Sequence, residues 1–300
     1  MFPPKRILFP VDFSERCSDA ARMVETFAGH FQAEITLLYV LEPLTYNDLP
    51  FDASALTQEQ LNGYLTEELK HFDVNRVLLH GEPASRIAEY AQANSFDLIM
   101  LPTHGYGRFR RLMLGSVAAK VLHDASCPVW TGVHMEQVPR LEDIAFRKIV
   151  CAIDLGEQSC PTLRWATEFA AEFEAGLTVV HAVPEAKDVV SLYADPQAKE
   201  RLLVKATERV QAVKDCVGSG AEISVVADDI AYAVCGAAGR EKADLLVIGR
   251  SVAEGMLGRL RANAYSIIRQ SPCPVISVLT VVRLFGYSVI RFGFPGAQFL

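Results

Sequence analysis

Residues 98–129, LIMLPTHGYGRFRRLMLGSVAAKVLHDASCPV, decide the fold of this chain. The four apolar residues at the start of the stretch predict a buried strand that stops at Pro102. A basic loop follows, and Gly115 and Ser116 open an amphipathic segment that predicts a helix. This strand-loop-helix unit is typical of an anion site, because the first N–H groups of a helix lack acceptors within it. Gly105 and Gly115 permit close backbone approach, and the Ser116 hydroxyl can cap the helix or contact a ligand oxygen.

The same alternation of strand and helix patterns runs along the first half of the chain. Apolar runs predict five strands, at residues 5–12, 35–40, 75–80, 97–101 and 128–133. Helical spacing of apolar residues predicts helices after Ser14, over about residues 57–72, and from Pro83 onward. Alternating strands and helices imply right-handed crossovers and a parallel sheet with helices on both faces.

The second half of the chain repeats the first. Asp154 ends an apolar run as Asp12 does 142 positions earlier, and Cys273 precedes Pro-Val as Cys127 does 146 positions earlier. Near-constant offsets at separate landmarks indicate a tandem duplication. We predict a first domain at residues 1–135, a linker at 136–146, a second domain at 147–280, and a tail at 281–300.

Composition narrows the class of protein. A net charge of −7 and a pI near 5.6 argue against general affinity for nucleic acid, which favours basic surfaces. No apolar stretch approaches the roughly 20 residues of a spanning helix, and the start of the chain shows no secretory pattern. Seven cysteines without a Cys-x-x-Cys pair fit neither a disulfide framework nor a zinc site. We therefore expect a cytoplasmic protein without a membrane span.

Both halves of the chain resemble the universal stress protein family. ATP-binding members carry Gly, two residues, Gly, nine residues, and then Gly followed by Ser or Thr. The spacing of Pro102, Gly105, Gly115 and Ser116 matches that signature, with Pro102 in place of the first glycine. The resemblance implies an α/β fold of two tandem doubly wound five-stranded parallel sheets, each of order 3-2-1-4-5 and adenine-nucleotide alpha hydrolase-like. It also implies a ligand at the carboxyl ends of strands one and four, where the strand order reverses.

Carried onto this sequence, the resemblance implies a site for ATP or another adenine nucleotide, with Mg²⁺ as an optional companion. The residues implied at the adenine and ribose end are Pro10, Asp12, Val40, Leu101 and Pro102, and those implied at the phosphates are Gly105, Gly115, Ser116 and Val117. A carboxylate such as that of Asp12 suits ribose hydroxyls or a divalent cation. His104 and Arg108 are added as donors because they lie beside the predicted phosphate loop.

The two halves depart from the family pattern to different degrees. Pro102 removes one N–H donor and stiffens its turn, but the helix start at Gly115 remains. In the second half Val252 replaces the middle glycine, and Ala262-Asn263 replaces Gly-Ser. We predict that the first half binds nucleotide and that the second is mainly a structural partner. A different anionic ligand stays open there because of Arg250, Arg259 and Arg261.

No catalytic residues are predicted. The chain has no Gly-x-Ser-x-Gly elbow and no Lys before Ser116, so an enzyme beyond slow ATP hydrolysis is not expected. Two functions remain open: a nucleotide-dependent signalling module in the stress response, and a scaffold or interaction protein without nucleotide. The fifth strand of each half is a sheet edge that must be paired or covered. The halves could therefore pair within the chain as a pseudo-dimer, and a homodimer is also possible.

Overall fold

Ten short apolar strands form one sheet in the computed structural model, which describes residues 2–42, 53–102, 114–132, 144–184, 196–250 and 262–279. The strands are β1 (Arg6–Pro10), β2 (Glu34–Leu41), β3 (Val74–His80), β4 (Leu98–Pro102), β5 (Val129–Gly132), β6 (Lys148–Ala152), β7 (Gly176–Val183), β8 (Glu222–Ala227), β9 (Leu245–Gly249) and β10 (Val275–Val278). The helices are α1 (Glu15–Phe31), α2 (Ala53–Gly63), α3 (Pro83–Ala93), α4 (Ser116–Asp124), α5 (Ser159–Glu172), α6 (Pro196–Val217), α7 (Ile230–Glu241) and α8 (Ala262–Gln270). Within these ranges no helix combines the length and apolar character that a bilayer crossing needs.

The strand order is β3-β2-β1-β4-β5-β10-β9-β6-β7-β8. Each half is parallel and follows the predicted order 3-2-1-4-5, so the doubly wound α/β class is confirmed. The two sheets are continuous, because β5 and β10 pair antiparallel with Trp130 opposite Ile276. The fifth-strand edges therefore pair with each other within the chain, which is the pseudo-dimer arrangement considered above. Two hydroxyls reinforce this seam: Thr131 Oγ1 donates to the Val275 carbonyl at 3.1 Å, and Ser277 Oγ donates to the Val129 carbonyl at 3.3 Å.

Hydrophobic layers cover both faces of the sheet and cross the seam between the halves. On one face Phe27 of α1 packs against Phe169 of α5 with ring centroids 5.7 Å apart. Phe146 lies 5.6 Å from Phe27 and 5.2 Å from Phe169, so the predicted linker ends in the core. On the other face α3 and α4 join α7 and α8 in a second buried layer. Residues 136–143 of the linker and the predicted tail at 281–300 lie outside the described residues.

The helix predicted over residues 57–72 is shorter than expected. Helix α2 ends at Gly63, a residue with poor helix propensity, and Leu65 has a left-handed φ of 54°. The periodic leucines of the segment are nevertheless all buried: Leu61, Leu65 and Leu69. The apolar spacing therefore predicted the buried face correctly, and the chain presents that face through turns after Gly63.

Candidate functional site

A cavity of about 610 Å³ opens where the strand order reverses, at the carboxyl ends of β1 and β4. The structure brings eight of the predicted site residues to its wall: Pro10, Asp12, Val40, Leu101, Pro102, Gly115, Ser116 and Val117. Gly105, His104 and Arg108 lie outside the described residues. Sequence reasoning missed the other lining residues, namely Val11, Cys17, Leu38, Tyr39, Glu42, Pro83, Ile87, Leu114 and Ala118. The volume of this cavity falls within the range of small-molecule sites.

The turn after β1 fixes the Asp12 carboxylate in this cavity. Phe13 adopts a left-handed φ of 60°, and Asp12 Oδ1 accepts the Ser14 N–H at 3.0 Å and the Cys17 thiol at 3.1 Å. Partial burial raises the pKa of Asp12, but the hydrogen bonds from Ser14 and Cys17 outweigh it and hold the pKa below its usual value. The carboxylate is therefore ionised at neutral pH. Both of these hydrogen bonds are made to Oδ1 rather than to Oδ2.

Aromatic rings support this turn from the side of β2. Phe13 stacks on Tyr39 with centroids 4.5 Å apart, and Tyr64 meets Phe13 edge-on at 5.1 Å. Tyr64 Oη also donates to the Ser14 carbonyl at 3.0 Å. The strained backbone at Phe13 is thus held by ring packing, and Tyr39 forms part of the cavity wall.

The opposite wall is the start of α4. Gly115 is the N-cap residue, with φ −60° and ψ 148°, and as a glycine it has no side chain to cap the helix. The first intrahelical bond described is from the Ala119 N–H to the Gly115 carbonyl at 2.9 Å. The N–H groups of Ser116, Val117 and Ala118 therefore have no helical acceptors, and these residues line the cavity.

An ion pair joins α4 to α3 beside the cavity. Glu82 is the N-cap of α3 and accepts the N–H groups of Ala84 and Ser85 at 3.3 and 2.9 Å. Lys120 Nζ donates to the same carboxylate at 2.8 Å. The hydrogen bonds from Lys120 and then Ser85 lower the pKa of Glu82 to about 2. The first turns of α3 and α4, which both line the cavity, are thereby tied together.

A second cavity, of about 590 Å³, occupies the same place in the second half. Asp154 Oδ1 accepts the Gly156 N–H at 2.8 Å and the Ser159 hydroxyl at 3.3 Å. His181 Nδ1 lies 2.9 Å from the Ile153 carbonyl, and Thr162 Oγ1 is buried without a hydrogen-bond partner among the described residues. Replacement of the signature glycines in this half has therefore not closed the cavity.

Arg250 was considered above as a residue that could bind an anion. In the structure it instead forms hydrogen bonds with backbone carbonyls of the first half of the chain. It follows β9 and is buried, and its guanidinium donates to carbonyls at and just after the end of α4. Its contacts are Leu122 at 2.6 Å, Ala125 at 3.0 Å and Cys127 at 2.5 Å. Burial lowers its pKa to about 10, so it remains charged at neutral pH. Arg259 and Arg261 lie outside the described residues.

Metal-ion chemistry has no built site within the parts of the chain that the structure describes. No group of three or more His, Cys, Asp or Glu side chains there is arranged to hold a metal ion. A cation at the first cavity would thus depend on Asp12 together with groups supplied by a ligand.

Comparison with known proteins shows the family of this chain. The sequence model of the universal stress protein family matches residues 3–131 and 145–278. The chain belongs to the universal stress protein family. A universal stress protein of Methanocaldococcus jannaschii is 33% identical over 135 residues, covering 42% of this chain and 79% of the relative. One from Thermus aquaticus is 33% identical over 131 residues, covering 42% of this chain and 96% of the relative.

Solved structures of the family show the same two-half fold. A universal stress protein from Archaeoglobus fulgidus superposes with a TM-score of 0.68 at 21% identity, covering 92% of this chain and 99% of that one. A protein from Pseudomonas aeruginosa described as a putative universal stress protein superposes with a TM-score of 0.65 at 18% identity, covering 92% of this chain and 93% of that one. At these identities the likeness concerns the fold, so the ligand must be argued from the cavity.

Proposed function

We propose that this universal stress protein binds ATP or another adenine nucleotide in the cavity of its first domain and uses occupancy as a signal. The observation that carries the proposal is that one cavity of nucleotide size gathers eight residues which the family signature implies. The first domain would comprise residues 1–135 and the second residues 147–280. The proposal also places the chain in the cytoplasm.

The described residues suit the parts of an adenine nucleotide. Pro10, Val40 and Leu101 offer apolar surface for a base, and the Oδ2 atom of Asp12 can accept ribose hydroxyls. The N–H groups at the start of α4 can donate to phosphate oxygens. Mg²⁺, where it accompanies the nucleotide, would neutralise phosphate charge near the Asp12 carboxylate.

Signalling would follow from differential binding. The nucleotide would bind one arrangement of the segment between Pro102 and Gly115 more tightly than another, and so would shift the population presented to a protein partner. A partner that recognises the occupied form would raise nucleotide affinity by the same factor, because coupling free energies are reciprocal. Nothing in this scheme requires hydrolysis.

The test is isothermal titration of the full chain with Mg-ATP and Mg-ADP, using a matched pair of variants. Gly115→Trp should weaken binding at least about tenfold by filling the cavity, since φ and ψ of Gly115 suit any residue and add no strain. Ala262→Trp, at the equivalent position that begins α8, should leave the affinity unchanged. Circular dichroism would check that both variants fold.

Two results would contradict the proposal. One is an absence of heat at millimolar nucleotide with the wild-type chain, which would favour the scaffold function. The other is loss of binding in Ala262→Trp but not in Gly115→Trp, which would move the site to the second half. Light scattering on the same samples would test the homodimer prediction.

A further inference from the structure

Two thiols of the second half lie side by side at the ends of two packed helices. Cys160, in the first turn of α5, donates its thiol to Sγ of Cys216, in the last turn of α6, at 3.7 Å. All seven cysteines are free thiols. Four of the others are buried and lie in the core, namely Cys17, Cys127, Cys151 and Cys273. The thiol of the remaining one, Cys235, donates to the Ile267 carbonyl.

The backbone near both thiols is anchored. Two turns after Cys160, Thr167 Oγ1 donates to Ser219 Oγ at 2.9 Å, which ties α5 to the turn that follows α6. Lys214 Nζ donates to the Ala221 carbonyl at 2.7 Å, and Val213 packs against the core. The closeness of the two sulfurs therefore follows from helix packing, and side-chain rotation can carry them toward the S–S bond length of about 2.0 Å.

We propose that Cys160 and Cys216 form a reversible disulfide when the protein meets hydrogen peroxide. The two thiols differ in access, because Cys216 is exposed and Cys160 is half-buried. Thiols that are accessible and adjacent to a second thiol are the ones that oxidise reversibly. Cytoplasmic disulfides are commonly transient and redox-sensing, so the pair is compatible with a reducing compartment.

The reaction balances in two steps. The Cys216 thiolate attacks one peroxide oxygen, so that an S–O bond forms, the O–O bond breaks and the second oxygen leaves as water after protonation. The Cys160 thiolate then attacks the sulfenic sulfur of Cys216, an S–S bond forms, and hydroxide leaves and is protonated to water. Two thiols and one peroxide thus give one disulfide and two waters. A reducing dithiol reverses the change by exchange.

The surroundings of Cys160 make it the less reactive of the two thiols toward peroxide. Burial and the neighbouring Cys216 raise the pKa of Cys160, while Arg164, one turn along α5, acts in the opposite direction. A thiol with a raised pKa is largely protonated at neutral pH and is a poor first target for peroxide. Cys216 therefore reacts first and Cys160 resolves it.

The bond would form next to two residues that line the second cavity. Gln158 and Ser159, which precede Cys160, line that cavity, and the Ser159 hydroxyl holds Asp154. Oxidation would lock the first turn of α5 to the end of α6 and fix this wall. The second half would then respond to oxidant, independently of nucleotide in the first half.

The experiment treats the native full chain with hydrogen peroxide and then blocks the remaining thiols with iodoacetamide. We expect the free-thiol count to fall by two, the intact mass measured before alkylation to fall by two hydrogens, and a non-reducing digest to yield one peptide pair joined through Cys160 and Cys216. Dithiothreitol should restore both thiols. Cys235→Ser, which removes a thiol bonded elsewhere, should behave as the wild type.

Single variants separate the two roles and protect against misfolding. Cys160→Ser should stop the cross-link and leave a sulfenic acid on Cys216 that dimedone labels, whereas Cys216→Ser should abolish both products. Circular dichroism would confirm that each variant is folded. Over-oxidation of Cys216 without a cross-link, a cross-link seen only in denaturant, or a bond joining two chains on a non-reducing gel would each overturn the proposal.

Discussion

The two halves of the chain build the same turn after their first strand from different residues. In the first half Asp12 accepts the Ser14 N–H, and in the second Asp154 accepts the Gly156 N–H, at 3.0 and 2.8 Å. The residue after each aspartate has a left-handed φ of 60°. The turn therefore depends on the aspartate and its backbone bond, and tolerates an aromatic, an aliphatic or a glycine residue around it.

A second pair of aspartates, at corresponding positions of the two halves, also accepts backbone N–H groups. Asp97 Oδ2 accepts the N–H groups of Lys5 and Arg6, and Asp244 Oδ2 accepts those of Arg147 and Lys148. By contrast, the cavity positions have diverged: Pro102 of the first half corresponds to Gly249 of the second, and Gly115 corresponds to Ala262. Residues that satisfy buried or terminal backbone groups thus preserve the fold, while residues that line the cavities are free to change.

The largest expected effect concerns Arg250, which the second half uses to hold the first. Arg250→Met leaves three carbonyls near the end of α4 without their charged donor, so the free energy of unfolding should fall by about 2–4 kcal/mol. Urea denaturation at neutral pH, where the arginine is charged, measures the change. Exposed Arg240→Met should stay within about 0.5 kcal/mol of wild type. An equally stable Arg250→Met would show that water satisfies these carbonyls.

A second test asks why the second half has Gly249 at the end of β9 where the first half has Pro102 at the end of β4. A Cβ on Gly249 would lie 2.7 Å from Thr162 Oγ1, whereas the first half has Ala20 at the position of Thr162. Gly249→Ala should therefore cost about 1–3 kcal/mol by overpacking. Thr162→Ala alone removes an unpaired hydroxyl and should be nearly neutral, but combined with Gly249→Ala it should remove most of the cost. Thermal unfolding of all four combinations measures the coupling, and additive effects would refute the steric explanation.

The sequence was sufficient for the fold because its signals are local and repeated. Apolar runs of strand length, a glycine at the start of α4 and a constant offset between Asp12 and Asp154 each depend on neighbouring residues or on the duplication. Those signals predicted alternating strands and helices in two similar halves. The strand order within each half and the residues that meet at the first cavity were implied by the resemblance to the universal stress protein family. The predicted length of α2 was wrong, because the spacing of its leucines indicates which residues are buried and cannot distinguish a helix from successive turns.

Features that join the halves could not be predicted in this way. The contacts of Arg250 with α4 span more than 120 positions, and no periodicity marks a guanidinium that will meet helix-end carbonyls. The sequence required the edges at the fifth strands of the two halves to be paired or covered, and the pairing of β5 with β10 was one of the ways to do so. Tyr39 was missed as a cavity residue because its exposure depends on how Phe13 stacks on it.

Restoring the family glycine tests the divergence of the cavities directly. Pro102→Gly returns an N–H and removes a ring from the wall of the first cavity, so adenine nucleotide should bind about fivefold more tightly, as one added hydrogen bond of about 1 kcal/mol implies. Isothermal titration measures the change. Pro10→Gly, at another wall position, serves as the matched control and should not tighten binding. Weaker binding by Pro102→Gly would mean that the rigid turn, rather than a donor, is what the site needs.

The smallest expected effect lies in the helix caps beside the cavities. In the first half Glu82 forms an ion pair with Lys120. In the second half Asp229 is the N-cap of α7, and Ile267 stands at the position that corresponds to Lys120. Because the side chains of Glu82 and Lys120 are 53% and 47% exposed, Glu82→Gln should cost less than about 1 kcal/mol at pH 7.

The pH dependence of this cap has a defined sign. The pKa of Glu82 falls from 4.5 to about 2 on folding, so its contribution is complete above pH 4.5 and is lost as the pH falls toward 2. The stability difference between wild type and Glu82→Gln should therefore shrink in urea titrations between pH 5 and 2, and 1 M salt should reduce it at pH 7. Asp229→Asn, which removes a cap acid that has no lysine partner among the described residues, should respond less to salt. Equal salt dependence in the two caps would mean that the helix dipole, rather than Lys120, sets the strength of the Glu82 cap.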